Sequence, residues 1–353
     1  MKTILYHVGF SIEGDSGKSR ATAQKISALR NLGHDVRVLS VDSGHFVNRL
    51  IWFCKNEISS IFMLDRVDLV ISRGFCSILL CLFCKRAGVT ILREVHADLA
   101  DEIKYTIKTP FEKKILRLIS FVDRFLNKKA HIRVFNNPLL KDSFEQINKV
   151  FSNNHVLYNG FSPSDISNET VESKQEIFRR YGLSYHSKYV LFTGSCSLWH
   201  DLDLLYEFSL LSERYHPNIK FIVAGGKSNA SFLGSNFINI TPLGPSGCAE
   251  LVSVADACIV PIKNVRVSPG NALKMYDYFG AQKLTFIPSN MPGYSDEADN
   301  YNGSVVLDFD NVQSSFEAIV LAVNGLDKSA IDYPRDMEWR SRMEALLGLV
   351  SWR

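Results

Sequence analysis

A predicted helix near residue 270 begins with residues suited to binding an anion. Ser268 is a good N-cap, and Pro269 fits the first helical position. Backbone N–H groups at such a helix start point at an anion, and the helix dipole lies behind them. The groups in question belong to Gly270, Asn271 and Ala272.

Charged side chains accompany this helix start. Asp277 lies about two helical turns beyond Gly270, on the same face as Gly270 and Lys274. A carboxylate there can accept two hydroxyl groups of a ribose. Lys274 or Arg266 can neutralise phosphate charge. The alternative, from spacing alone, is a capped helix with a solvated aspartate.

Two glycine loops and one histidine follow predicted strands. The loop containing Gly17 lacks the phosphate-loop pattern of ATPases, because Ile12 stands where that pattern needs glycine. It either offers N–H groups to an anion or is an ordinary strand-to-helix turn. Gly194 lets a phosphate approach closely, and His200 either donates to that phosphate or caps the next helix. His96 ends a strand, where ligands bind in open α/β sheets, although a lone histidine can also be structural.

These residues lie in a chain that alternates short apolar strands with helical segments. The predicted strands are 3–8, 35–41, 68–72, 90–95, 131–135, 189–193, 219–224, 238–241, 257–261 and 284–288. Such alternation predicts parallel sheets with helices on both faces. A length of 353 residues exceeds what one core usually serves. A turn-rich stretch at 158–163 suits a linker.

We therefore predict an α/β protein with two doubly wound, Rossmann-like domains that face a cleft. The N-terminal domain spans 1–158 and the C-terminal domain 159–335. A terminal helix in 336–353 is expected to pack back towards the N-terminal domain.

Composition excludes several classes of protein. The net charge of +3 is too small to indicate nucleic acid binding. Cys81 and Cys84 form a CxxC within apolar residues and without a second ligand pair, which favours packing over a metal site. The sequence shows no signal-peptide pattern, and its longest apolar run, 75–84, is too short to span a bilayer. We expect a cytoplasmic protein.

The segment from Ala272 resembles the donor-site helix of retaining glycosyltransferases of the family-four type, which have the GT-B fold. Lys274 matches the motif's first lysine, and Asp277-Tyr278 its Glu-Tyr. Further matches are 94–96, 156–161, 194–205, 221–226, 243–261 and Gln282-Lys283-Leu284. The likeness runs through most of the chain and is strongest from 189 to 290.

The resemblance implies a nucleotide diphosphate-sugar substrate bound without a metal or other cofactor, and a reaction that retains anomeric configuration. Asp277 would hold the ribose, the Gly17 loop and residues 270–272 the diphosphate, and His96, as the catalytic-site residue, would face the sugar. The other donor-binding candidates are Gly194, Ser195, His200, Leu243, Arg266, Ser268 and Lys274.

The sequence departs from the family pattern at three places. Pro269 stands where the family often has the first of two acidic residues, and Ser195 and His200 lie near the usual Arg and Lys. Gly-Lys-Pro has become Gln-Lys-Leu. The resemblance implies sugar transfer to a glycan or lipid-linked acceptor in surface polysaccharide, lipopolysaccharide or glycolipid synthesis. The alternatives are a non-catalytic nucleotide-sugar-binding subunit and an epimerase.

Residues 111–128 form a predicted amphipathic helix. Its apolar face carries Phe111, Ile115, Leu118, Ile119, Val122, Phe125 and Leu126. The adjoining face carries Phe121 with Lys113, Lys114, Arg117, Arg124 and Lys128. The pattern suits peripheral binding to an anionic membrane surface, which lipid-linked acceptors of the family would favour. The alternative is a core-facing stripe with a solvated basic side.

Overall fold

Two six-stranded parallel sheets organise the chain in a computed structural model. The structure describes all residues except 14–15, 42–45, 97–108, 164–172, 195–199, 227–233, 264–271, 292, 326–329 and 353. The chain divides into two compact units. Unit 1 contains Met1–Gly160 and Trp339–Arg353, and unit 2 contains Phe161–Val265 and Ala272–Glu338.

The sheet of unit 1 has the strand order β2-β1-β3-β4-β5-β6. Its strands are β1 (Thr3–Val8), β2 (Asp35–Ser40), β3 (Leu69–Arg73), β4 (Thr90–Val95), β5 (Ile132–Phe135) and β6 (Asn154–Val156). The central strands are buried along nearly their whole length, as expected when helices cover both faces of a parallel sheet. The three-residue β6 was not predicted.

The helices between these strands are α1 (Gly17–Asn31), α2 (Phe46–Phe62), α3 (Ile78–Ala87), α4 (Pro110–Lys129) and α5 (Pro138–Asn148). Ser16 caps α1, because its hydroxyl accepts the N–H of Ser19, and Gly33 follows the helix end with a positive φ of 86°. The chain moves one way across the sheet through α1 and the other way through α2–α5. Right-handed crossovers therefore place α1 on one face and the other four helices on the opposite face.

The sheet of unit 2 has the order β12-β11-β10-β7-β8-β9. Its strands are β7 (Lys188–Gly194), β8 (Ile219–Gly225), β9 (Phe237–Ile240), β10 (Ala257–Ile259), β11 (Leu284–Pro288) and β12 (Ser304–Leu307). Its helices are α6 (Lys174–Arg180), α7 (Leu202–Tyr215), α8 (Pro245–Val254), α9 (Leu273–Gly280), α10 (Ser295–Ala298) and α11 (Val312–Gly325). The last helix of the chain, α12 (Trp339–Gly348), packs on α1 within unit 1. Strand β12 was also not predicted.

The prediction of a doubly wound α/β fold is confirmed, but the predicted start of the donor-site helix is wrong. Ala272 is the N-cap of α9 and makes no side-chain cap, so Ser268 does not begin this helix. The first N–H groups of α9 belong to Leu273 and Lys274 instead. Ser268, Gly270 and Asn271 lie outside the described residues, and so do Ser195 and Arg266.

Tyr278 holds the end of β7 from α9. Its buried hydroxyl lies 2.8 Å from the N of Thr193, which donates to it, and 3.1 Å from Oγ1 of Thr193. Thr193 lies beyond the last residue pair that β7 makes with β10, Cys258 with Leu191. A tyrosine from the helix therefore takes the place of a strand neighbour.

We expect Tyr278→Phe to lower the free energy of unfolding by about 1–3 kcal/mol, because it leaves the buried N–H of Thr193 without this acceptor. Urea denaturation followed by circular dichroism measures the change. Tyr185→Phe is the matched control, since the Tyr185 hydroxyl donates to the Gln175 carbonyl at an exposed position. Equal stability losses in the two variants would contradict the assigned role of Tyr278.

Candidate functional site

Two glycines end adjacent strands in unit 2 and leave room for a charged group. Gly194 and Gly225 are register partners on β7 and β8, and their φ angles are 147° and 119°. A Cβ on Gly194 would clash with Nζ of Lys274. A Cβ on Gly225 would lie 2.6 Å from the carbonyl oxygen of Gly194. Only glycine readily adopts these φ angles, and without a side chain at Gly194 the Lys274 ammonium lies against the strand end.

Lys274 stands in the first turn of α9 and meets two aromatic groups. Its Nζ lies 2.8 Å from Nε2 of His200 and 4.4 Å from the centre of the Phe192 ring. A protonated Lys274 would donate this hydrogen bond, because an ammonium has no acceptor. Of the two interpretations of His200, the helix cap is wrong, and donation to a phosphate stays a prediction. Asp201, and not His200, caps α7 by accepting the N–H of Leu204.

Leu243 is tied to the same strand ends by its backbone. Its N–H donates to the carbonyl of Gly225 at 2.7 Å, and the N–H of Gly226 donates to Gly194 at 2.9 Å. The predicted residues Gly194, His200, Leu243 and Lys274 are therefore brought together in unit 2.

Asp277 follows Lys274 on α9 by three residues. Residues at this spacing share one helix face, and the Asp277 side chain is half-buried, while its neighbours Tyr276 and Tyr278 are fully buried. The face of α9 that carries Lys274 thus also carries a carboxylate one turn further on. An ammonium and a carboxylate so spaced can contact the phosphates and the ribose of one nucleotide.

Lys263 is another basic residue of unit 2 that could balance phosphate charge. Its ammonium lies 3.1 Å from Asp203 and 3.5 Å from Asp201. Hydrogen bonding to Asp203 raises its pKa, with a further contribution from Asp201. Two carboxylates contact this lysine, whereas Lys274 lies against the strand end at Gly194, which makes Lys274 the stronger candidate.

In unit 1 the strand ends bring together a buried group of charges around Glu94. Its Oε1 accepts from Nζ of Lys25 at 2.8 Å, and its Oε2 accepts from the Tyr6 hydroxyl at 2.9 Å. Nε of Arg73 lies 3.9 Å from Oε2, and Nε2 of His96 lies 3.4 Å from it. Glu94 is the register partner of Arg73, so two neighbouring strands deliver these groups to one edge.

The charges of this group set the protonation of His96. Burial lowers its pKa to about 3, and the positive charges of Arg73 and Lys25 act in the same direction. Burial by itself would raise the pKa of Glu94, but the Lys25 ammonium, His96 and Arg73 hold it well below its usual value. His96 is therefore neutral beside an ionised glutamate at neutral pH.

Gly17 lies at the first residue of α1, where Ser16 supplies the cap. Gly17 and Lys18 are exposed, and the Lys18 ammonium lies over the Phe10 ring at 4.9 Å. The loop thus presents a helix N-terminus at a strand end. This fits both an anion-binding loop and an ordinary strand-to-helix turn.

Sequence reasoning missed Lys25, Arg73 and Tyr6. Arg73 carried the same signal as His96, an ionisable group at the carboxyl end of an apolar strand. Lys25 lies among the core-facing positions of α1, with Ala21, Thr22 and Ile26. A lysine in a core-facing row indicates a buried carboxylate partner, and this signal could have been used.

The part of the chain that the structure describes contains no cluster of three or more potential metal ligands. In the same part, no helix is both long and apolar enough to cross a membrane.

The buried His7 and the half-buried His96 of unit 1 predict a specific pH dependence of stability. Burial lowers the pKa of His7 to about 4, and that of His96 is about 3, against an ordinary value of 6.5. Below pH 6.5 the unfolded chain therefore binds protons that the folded chain does not. The free energy of unfolding should fall as the pH is lowered from 6.5 towards 4.

We expect His96→Asn to make this fall smaller, whereas His186→Asn, at an exposed position, should leave it unchanged. Urea denaturation at about pH 7.5 and about pH 5 measures the difference. An equally large fall with and without His96 would show that its imidazole is not buried in neutral form.

Comparison by sequence finds no matching family model and no matching curated protein. Solved structures do match. HepE from Anabaena, in complex with UDP and glucose, has a TM-score of 0.69 at 11% identity, over 99% of each chain. WaaG, a glycosyltransferase involved in lipopolysaccharide biosynthesis, has a TM-score of 0.65 at 14% identity, over 98% of this chain and 95% of WaaG.

A glycosyltransferase from Rickettsia africae ESF-5 has a TM-score of 0.65 at 15% identity, over 99% of this chain and 94% of that one. At these identities the likeness establishes the fold. Each unit of this chain is a Rossmann-like parallel sheet covered by helices, and the matches extend over both units. The chain therefore has the GT-B fold that its motifs predict.

Proposed function

We propose that this protein is a retaining glycosyltransferase that moves a sugar from a nucleotide diphosphate-sugar to a glycan or lipid-linked acceptor. The observation that carries the proposal is the arrangement of Gly194, His200 and Lys274, with Asp277 one turn further along α9. The motifs that resemble family-four enzymes support it. The UDP and glucose bound to HepE, a protein of the same fold, support a uridine nucleotide as a first probe.

The roles of the donor-site residues follow from their chemistry. The carboxylate of Asp277 accepts two ribose hydroxyls, and the ammonium of Lys274 neutralises the diphosphate beside Gly194. Gly17, Leu243 and the candidates outside the described residues (Ser195, Arg266, Ser268, Gly270 and Asn271) complete the proposed donor contacts. Lys274 thus takes over the charge compensation of the Arg and Lys that the family usually has near residues 195–200.

The reaction breaks the bond between the anomeric carbon and the diphosphate oxygen and forms a bond from that carbon to an acceptor hydroxyl oxygen. The nucleoside diphosphate leaves with the bonding electron pair, and the acceptor hydroxyl gives its proton to the departing phosphate oxygen. Fixed dipoles and the Lys274 ammonium stabilise the negative charge on the leaving group, so no metal or other cofactor is required. His96 contacts the sugar as a neutral hydrogen-bonding group.

We expect Asp277→Ala to raise the Kd for UDP at least about tenfold, because it removes a charged acceptor of two hydroxyl hydrogen bonds. It should also abolish release of nucleoside diphosphate from the donor that the protein turns over. Isothermal titration calorimetry and a coupled assay measure the two effects. Asp299→Ala, at an exposed position of the same unit, is the matched control.

The donor itself is found first by a thermal-shift panel of nucleotide sugars, since a bound ligand raises stability by mass action. Unchanged turnover in Asp277→Ala would overturn the donor-site assignment. Binding without turnover of any donor would favour the non-catalytic subunit, and conversion of the sugar without transfer would favour the epimerase.

We also propose that unit 1 binds an anionic membrane surface through α4, at the inner face of the cell membrane. The predicted apolar stripe divides into two parts. Leu126 is buried in a hydrophobic core cluster of unit 1, and Val122 and Phe125 pack against that cluster. By contrast, Leu118 is 64% exposed and Phe121 is 69% exposed, beside the exposed Arg117 and Arg124.

The surface continues over the helices that lie next to α4 on the same face of the sheet. Helix α3 packs on α4 and on α2. Exposed apolar side chains on these two helices are Ile51, Ile58, Phe62, Leu82 and Phe83. Apolar side chains that enter the acyl boundary, flanked by basic ones that meet lipid phosphates, suit a lipid-linked acceptor.

We expect the protein to sediment with vesicles that contain phosphatidylglycerol at low salt, and less with phosphatidylcholine vesicles or at high salt. The double variant Leu118→Ser/Phe121→Ser should lose most of this binding. Leu321→Ser, which removes an exposed leucine from unit 2, is the control. No binding of the unmodified protein to anionic vesicles at low salt would overturn the membrane proposal.

A further inference from the structure

Lys25 is a fully buried cation that the proposed reaction does not use directly. It lies near the middle of α1 and is only 3% exposed. Its Nζ donates to Oε1 of Glu94 at 2.8 Å and lies 4.9 Å from the centre of the Trp339 ring. Burying an ammonium is costly unless it is paired. Burial lowers the pKa of Lys25 to about 8, although the negative charge of Glu94 acts to raise it.

Trp339 fixes the position of this ammonium from the last helix of the chain. It is the first residue of α12, is 1% exposed, and donates from Nε1 to Oε1 of Gln24 at 2.7 Å. Gln24 is the neighbour of Lys25 on α1. The lysine is therefore held by a carboxylate from β4 and an indole ring from α12. Neither contact can be lost without leaving a buried charge or a cavity.

His96 lies within reach of both members of this ion pair. Its Nε2 lies 3.5 Å from Nζ of Lys25 and 3.4 Å from Oε2 of Glu94. A carboxylate by itself would favour the charged imidazolium, whereas a neighbouring cation favours the neutral ring. The charged groups that face His96 are Glu94, Lys25 and Arg73, and the Tyr6 hydroxyl takes a further position on Glu94. Burial is the largest cause of the lowered His96 pKa, and the two cations offset the carboxylate charge that would otherwise favour the imidazolium.

We propose that Lys25 is a positioning residue for His96. Trp339 anchors Lys25, whose ammonium pairs with the Glu94 carboxylate. This pairing keeps the His96 imidazole neutral and holds its Nε2 edge beside Oε2 of Glu94. His96 then meets its substrate as a neutral hydrogen-bonding group and does not compete for the leaving diphosphate as a cation. Only this last step rests on the proposed function. The contacts of Lys25 do not.

The test is a pH titration of the His96 ring by NMR, with its resonances assigned by their loss in His96→Asn. In the unmodified protein we expect the ring to stay neutral down to about pH 3. In Lys25→Met, a change of similar shape without the charge, the Glu94 carboxylate is no longer compensated by the lysine. The midpoint should then rise above about pH 5.

Lys55→Met is the matched control. The Lys55 ammonium also lies over an indole ring, 4.8 Å from the centre of Trp52, but at the surface of α2. This variant should leave the His96 midpoint unchanged. A folded Lys25→Met protein whose His96 still titrates below about pH 4 would overturn the proposal, because a merely structural lysine would leave the ring unaffected.

The unmodified protein gives a second measurement if Lys25→Met does not fold. Raising the pH through about 8 removes the proton from Lys25, and the nearby His96 resonances should shift with that midpoint. His96 resonances that stay constant while the Nζ resonance of Lys25 titrates would overturn the proposal. Neither titration uses a nucleotide-sugar donor. If the protein binds no nucleotide sugar, the proposed function is wrong, but the titration result for His96 still holds.

If the protein turns over a donor, the proposal also predicts how turnover by Lys25→Met depends on pH. Lys25→Met should lose donor turnover below the raised midpoint of His96 and keep more of it above, because the imidazolium forms only below that pH. Lys55→Met should keep the pH profile of the unmodified protein. A uniform loss at every pH, with an unmoved His96 midpoint, would assign Lys25 to stability alone.

Discussion

In a parallel sheet all strands end at one edge, and both groups of candidate residues depend on this constraint. In unit 1 the ends of β3 and β4 deliver Arg73 and Glu94 as register partners, and His96 follows two residues later. In unit 2 the ends of β7 and β8 deliver Gly194 and Gly225, also as register partners. Residues far apart in sequence therefore meet because the strands that carry them run side by side. Helices then add to each edge the groups that the strands lack: Lys25 from α1, and Lys274 with Asp277 from α9.

The charged groups at the two sheet edges differ in how deeply they are buried. In unit 1 the cations Lys25 and Arg73 are buried beside Glu94, so they are not available to an anionic ligand. In unit 2 the two glycines remove side-chain volume, and the half-buried Lys274 lies against the strand end beside His200 and Phe192. The greater exposure of Lys274 is the physical reason to assign the diphosphate to unit 2 and a neutral contact to unit 1.

Much of the fold could be predicted from the sequence, because ten strands show apolar runs and are separated by helical segments. Two strands were missed: β6 has only three residues and β12 only four, so both are too short to give a clear strand pattern. The start of α9 was placed too early, since Ser268 and Pro269 are good local helix-start residues and local preference does not fix where a helix begins in the fold. Gly194, His200, Leu243 and Lys274 were found by motif. Their mutual contacts were not, because spacing on a strand or a loop does not reveal which side chains meet across the sheet edge.

The buried cluster of unit 1 shows why the missing part of the site was hard to predict. Lys25, Tyr6 and Glu94 come from three elements, and each is unremarkable in its own segment. Their significance lies in the contacts, because a lysine that is 3% exposed requires a partner that only the folded chain identifies. Trp339, more than 300 residues from Lys25 in sequence, completes the cluster from α12. The protonation of His96 is thus set by the last helix of the chain as well as by the strand that carries the histidine. A local motif such as Glu94-Val95-His96 therefore marks the place of the site, while the chemistry available there depends on long-range packing.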